Sequence, residues 1–196
     1  MLNNAILNNE QLKLKYELKE KLKINKIDLK EFLKYIENEI CSNYFYYKLE
    51  NGYILKLSFE IENIPHLLGI HYYFSTQDST KGKDLVDGIN SGSITIQSLK
   101  RNKKEIFKEK KERIEHFTCI NYILTTTSCI KFNPIKPKPF SKIKADYLFY
   151  SEEIGINLLL GIKKINEKEK IIECAPETFL VDRTEHYSKD QTKLEI

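Results

Sequence analysis

Apolar positions along the chain change period several times, and each change marks an element. Leu12, Leu14, Leu18 and Leu22 recur near helical spacing, and Leu29, Phe32, Leu33, Ile36 and Ile40 do so again. The pattern predicts helix over Leu12 to Ile40, interrupted around Asn25-Lys26-Ile27-Asp28. Asp28 can N-cap the second part, with Glu31 three residues on as in a capping box. Interleaved Lys and Glu leave a solvated outer face, and the heptads are too few and irregular to favour a coiled coil.

The period then drops to two. Tyr44 to Leu49 and Tyr53 to Phe59 flank Glu50-Asn51-Gly52, a strong hairpin signal between aromatic and β-branched runs. Within the second run Leu55, Leu57 and Phe59 alternate with Ile54, Lys56 and Ser58, so one face is buried. A short helix follows near Pro65, with Asn63 as a cap, in the segment ENIPHLLGIH. Phe74 to Lys83 reads as polar loop and Asp84 to Asn90 as a helical turn; Ser91-Gly92-Ser93 can cap a segment running to Leu99. Lys104 to Leu124 carries an apolar stripe of Ile106, Phe107, Ile114, Phe117, Ile120, Ile123 and Leu124, and predicts one helix. Beyond an extended connector, Pro134 to Pro139, three strands are predicted: Ala145–Ser151, Asn157–Ile165 and Ile171–Asp182. Short connections favour antiparallel pairing. The fold class is therefore α+β: N-terminal helices and a central helix on a mostly antiparallel sheet of about four or more strands. The expected organisation is an N-terminal helical segment, 1–43, packed on a unit formed by 44–196.

Composition adds bounds. At 196 residues, 41% apolar and 31% charged, the chain can bury a real core. The net charge of +4 says little by itself, so the distribution of cations matters more. Lys100, Arg101 and Lys104 open a basic stretch that runs to Arg113, tempered by interleaved Glu. Lys131, Lys136, Lys138, Lys142 and Lys144 form the least balanced stretch, with no acidic residue between its ends. Cys41, Cys119, Cys129 and Cys174 lack C-x-x-C spacing, and the first three sit beside apolar residues, as packed thiols do. The amino-terminal residues lack the order of a signal peptide, and no apolar run approaches the ~20 residues that span a bilayer. The expected location is the cytoplasm, with no membrane partner.

Several chemistries lack their sequence support. There is no P-loop, G-x-G-x-x-G, G-x-S-x-G or H-E-x-x-H motif, and no carboxylate constellation for a two-metal nuclease. No cofactor or metal is expected. The histidines are His66, His71, His116 and His186. His66 and His71 would diverge by ~140° on a regular helix, so only one reaches a cleft unless Gly69 ends the helix early. His116 reads as a helix-surface or core-edge residue, and His71 beside Tyr72 and Tyr73 as structural. At the end of the β-rich region Thr178, Arg183, His186, Tyr187 and Lys189 stand close together. Metal-free RNA cleavage needs a base for the 2′-hydroxyl, an acid for the leaving oxygen and cations for the phosphate. His, Arg, Lys and Tyr are the side chains for those jobs; the other reading of the cluster is a polar strand end with solvated charges.

The ENIPHLLGIH segment after a hairpin, the basic central helix and the late series YLFYSEE, NLLLGIKKI, APETFLVDR and HY resemble the phage-associated branch of the nuclease group named for Barnase, EndoU, colicin E5/D and RelE. The similarity covers roughly Tyr44 to the C-terminus. It implies helices leaning on a four-stranded antiparallel sheet, and a toxin- or phage-defence-type endoribonuclease working without metal. RNA, and a cognate inhibitor, are the partners it implies. Carried over, His66 is the first candidate acid or base, and Thr178, Arg183, His186 and Tyr187 are transition-state contacts or a second acid/base. Glu177 departs from the pattern, standing where a basic residue would suit a phosphate. Lys100, Arg101, Lys104, Lys131, Lys136, Lys138, Lys142, Lys144 and Lys189 are the expected RNA contacts. The alternatives are a non-catalytic module that binds nucleic acid or a protein through the same surface, and an interaction protein that works through the N-terminal helices.

Overall fold

The hairpin signalled by Asn51-Gly52 forms the edge of a seven-stranded sheet. In the computed structural model, which describes residues 7–74, 82–125, 128–151 and 157–196, β1 (Tyr44–Lys48) pairs antiparallel with β2 (Ile54–Ser58), from Tyr44 opposite Ser58 to Lys48 opposite Ile54. Gly52 takes φ +81°, which the turn requires. Five further strands are β3 (Cys129–Lys131), β4 (Tyr147–Ser151), β5 (Asn157–Lys168), β6 (Ile171–Asp182) and β7 (Thr192–Leu194). Their order across the sheet is β1-β2-β6-β5-β4-β3-β7.

The pairing is antiparallel except between β2 and β6, which run parallel, with Lys56 opposite Glu173. The expectation from short connections fails at that one pair because the chain makes five helices and three strands between them. β3 was not legible as a strand: it has three residues, too few to show a period.

The predicted long N-terminal helix is broken more widely than its residue pattern implies. α1 (Asn9–Tyr16) starts with a capping box between Asn8 and Gln11. α2 (Leu29–Ile36) begins only at Asp28, which accepts from the Lys30 and Glu31 amides and continues as a π-turn over Glu37–Cys41. Between them the backbone bonds elsewhere: the Leu18 amide donates to Thr118 O, Leu22 to Glu115 O and Ile24 to the Glu115 carboxylate. Glu31 completes no capping box, since its carboxylate accepts from Lys15 and the Tyr16 hydroxyl instead.

The remaining helices are α3 (Ile64–Leu67), α4 (Gly82–Ser91), α5 (Ile96–Asn102), α6 (Lys104–His116) and α7 (Ile120–Leu124). Asn63 makes no side-chain cap on α3. Thr95, not Ser91 or Ser93, caps α5, in a box with Ser98. The central helix tightens into a 3₁₀ turn over Phe117–Cys119, dividing α6 from α7.

Helices cover one face of the sheet. Phe32, Ile36, Phe117 and Ile120 meet Leu55, Leu57, Leu160 and Phe179 in one core, which Leu12 and Tyr16 of α1 also join. A smaller cluster lies on the opposite face, where Phe132, Leu148, Tyr150 and Leu159 gather with Ile143, Leu180 and Tyr187. The connector 132–146 thus folds over β4 and β5. None of the cysteines is in a disulfide, and burial pushes Cys41, Cys129 and Cys174 up to about 12. Among the described residues no helix is long and apolar enough to cross a membrane.

Candidate active site

The site begins where β2 ends. Beyond Ser58 the chain turns into α3, which packs beside β6 in the place a longer β2 would occupy. His66 leaves α3 next to Glu177 of β6. Gly69, at φ +73°, then stops the helix and returns the chain through a 3₁₀ turn over Ile70–Tyr73. The early stop changes the geometry that regular helical spacing implies. The His66 and His71 rings stack, with centroids 4.2 Å apart, and His71 lies 4.0 Å from the Tyr72 ring. From α6, Lys110 Nζ and Arg113 Cζ sit 4.8 and 5.7 Å from the centre of Tyr72.

β6 supplies the floor through a defect in its ladder. Gly161 pairs with Thr178 and Ile162 with Pro176, so Glu177 stands opposite no residue of β5. A proline in an inner strand donates no amide to the ladder, and a bulge is where a sheet tolerates one. The bulge sets Glu177 and Thr178 on the same side, where regular alternation would have separated them. Both line the cleft, as does Leu180 one step on.

The far wall comes from the connector and from the segment after β6. Pro139 to Lys144 and His186-Tyr187 enclose, with His66, Tyr72 and Arg113, a hollow of about 540 Å³. Asp182, buried at the end of β6, fixes the second segment: its carboxylate accepts from the Thr184 amide and hydroxyl and from the Tyr187 amide at 3.0 Å. The His186 and Tyr187 rings meet edge to face at 4.7 Å.

Electrostatics divides the histidines. Burial lowers the His66 pKa; the Glu177 carboxylate pulls it back up, and Arg113 presses it down. A hydrogen bond to the Glu177 main chain also favours the charged ring. His71 falls to about 4, through burial first and then His66 and Arg113. Both imidazoles are therefore neutral at pH 7. Burial also lowers the Arg113 pKa, yet a guanidinium starts so far above neutrality that it stays a cation.

The residues singled out in the sequence divide into groups. His66, Thr178, His186, Tyr187, Lys142 and Lys144 share the cleft. Lys136, Lys138 and Lys189 line an adjoining hollow of about 320 Å³ that shares His186. Arg183 does not line the cleft; its guanidinium is exposed and pairs with Glu112 at 2.8 Å. Lys100, Arg101 and Lys104 are exposed on α5 and at the start of α6, and Lys131 is exposed on β3, all outside both hollows. Arg113, Tyr72 and Phe140 are lining residues that the sequence did not single out. The bulge that admits Glu177 had two signals, Pro176 and Gly161 inside strand patterns. Among the described residues no group of three or more His, Cys, Asp and Glu side chains could hold a metal ion.

Comparison with known proteins adds a family. The profile described as phage-Barnase-EndoU-ColicinE5/D-RelE like nuclease4 matches residues 28–196, from the cap of α2 to the last residue. No curated protein and no solved structure matches the chain.

Proposed function

Because the chain belongs to the phage-Barnase-EndoU-ColicinE5/D-RelE like nuclease4 family, we propose that it is an endoribonuclease that cuts RNA by acid–base chemistry without a metal. The observation that carries this reading is the meeting of His66 with Thr178, His186 and Tyr187, over a hundred residues away, beside Arg113, Lys142 and Lys144.

The roles follow from charge and position. A base must be unprotonated at the working pH, and the lowered pKa of His66 gives it that form. His66 takes the 2′-hydroxyl proton while the 2′-oxygen attacks the adjacent phosphorus. The bond from phosphorus to the 5′-oxygen breaks, leaving a 2′,3′-cyclic phosphate. The departing 5′-oxygen takes a proton from His186, beside which Tyr187 is fixed by Asp182. Arg113, Lys142 and Lys144 offset the charge that builds on the phosphate oxygens, and the Thr178 hydroxyl offers a hydrogen bond. Arg113 takes the anion contact in place of Arg183, whose guanidinium is engaged by Glu112.

Purified protein incubated with end-labelled single-stranded RNA in EDTA tests this. Cleavage should leave 2′,3′-cyclic phosphate ends, and a 2′-deoxy substrate should stay intact. His66→Ala should lower kcat/KM at least ~100-fold. Arg113→Ala should cost ~100-fold or more, and Arg183→Ala, which breaks an exposed pair, under ~5-fold. Intact RNA at micromolar protein refutes the proposal.

A further inference from the structure

The open face of the sheet carries a feature the cleft does not use. Tyr44 and Tyr46 project from the edge strand β1 and are 60% and 61% exposed. A large apolar ring left in water loses the stabilisation that burial gives it. These two are held in place regardless: both lie on the face opposite Tyr47, Leu55 and Leu57, which fill the core.

Register shows where this face leads. Tyr46 stands opposite Lys56, and Lys56 opposite Glu173, so the three form a row across β1, β2 and β6. Lys56 Nζ lies 4.7 Å from the centre of the Tyr44 ring and 3.3 Å from the Glu173 carboxylate. The same face of β6 continues through Ala175 to Glu177, the floor of the cleft. Two strand spacings and four residues separate Tyr46 from Glu177, roughly 16 Å. Lys48 on β1, and Lys163 opposite Ala175, are exposed on that face as well. Three lysines, Lys48, Lys56 and Lys163, thus share the face with two glutamates, Glu173 and Glu177.

We infer that Tyr44 and Tyr46, with Lys56, are a stacking platform for bases of single-stranded RNA whose scissile bond lies in the His66 cleft. The occupant's identity rests on the nuclease reading above. An exposed ring offers a flat partner to an unstacked base, and the lysines track the backbone. Paired bases in a duplex keep their faces stacked on one another, so the platform selects single strands. It also explains the position of the rings, on the face that runs into the cleft and not on the helical side.

The test separates the platform from the chemistry. A fluorescent 2′-O-methyl oligouridylate of about ten nucleotides cannot supply a 2′-hydroxyl for attack, so it reports binding alone. Its anisotropy is followed at fixed salt with the wild type, with Tyr44→Ala/Tyr46→Ala and with Tyr44→Phe/Tyr46→Phe. The alanine pair should weaken binding at least ~10-fold and the phenylalanine pair by no more than ~2-fold. Cleavage of a dinucleotide, too short to reach the rings, should be unchanged in both. Equal affinity of wild type and the alanine pair overturns the platform, even if RNA is cleaved. So does an equal loss in the phenylalanine pair, or a wild type that does not bind the probe. Loss of binding in the alanine pair alone upholds the platform, even where the wild type cuts no RNA and the nuclease proposal falls.

Discussion

A histidine becomes a base through its surroundings. Protein atoms around His66 favour the neutral ring, while the Glu177 carboxylate favours the charged one. The acid limb of kcat/KM against pH should therefore have an apparent pKa below 6.5, the ordinary value. Glu177→Gln removes the raising influence and should carry that limb further down. An acid limb that stays put or moves up would exclude the assigned base. His66 stood out in the sequence because histidines are few. The His66–His71 stack was legible only as the exception in which Gly69 ends the helix early, since regular spacing sets the rings apart and the left-handed turn there brings them together. Arg113 was hidden for another reason. It sits among many cations on α6, and what distinguishes it is burial against Tyr72, which arises from tertiary packing.

Among the elements, β6 governs the site. Its span was readable from its apolar run, as was the β1–β2 hairpin; β5 was readable only to Ile165, because its last residues to Lys168 are polar, and the central helix was readable without the 3₁₀ turn that divides it. The parallel β2–β6 pair was not, because which strands become neighbours depends on the path of the chain between them. Nor was the loss of helix after Tyr16, where amides of Leu18 and Leu22 bond to carbonyls around α6. The bulge has a tight mate. A Cβ built on Gly161 would lie 2.8 Å from Thr178 Cγ2 and 3.1 Å from the Ala145 Cβ. Gly161→Ala should therefore destabilise the fold by about 1–3 kcal/mol, read in urea unfolding. The same change should lower kcat more than it raises KM, because it displaces Thr178. A variant with wild-type stability and kcat would mean that the strands yield at no cost.

For the molecule as a whole, the histidines set the response to acid. The pKa values of His66, His71 and His116 are all lowered, chiefly by burial. In the unfolded chain each titrates near 6.5. Below that pH the unfolded state binds protons that the folded state resists, so stability falls as pH falls. The loss should begin near pH 6.5 and continue towards about 4, where folded His71 itself titrates. Thermal melts at pH 7.5, 6 and 5 should show a decreasing Tm, and His71→Phe, which keeps a stacked ring, should flatten the trend. The parallel pair has a consequence in time as well as in space. Lys56 and Glu173, its ion-paired members, are 117 positions apart. A chain emerging from a ribosome can close the β1–β2 hairpin early, but the cleft lacks its floor until β6 arrives and its wall until His186 and Tyr187 follow. Non-local pairing of this kind is slow to form. The candidate site is therefore among the last parts of the fold to form, because its floor and one wall lie on β6 and the segment after it, while the strand that β6 must join is made more than a hundred residues earlier.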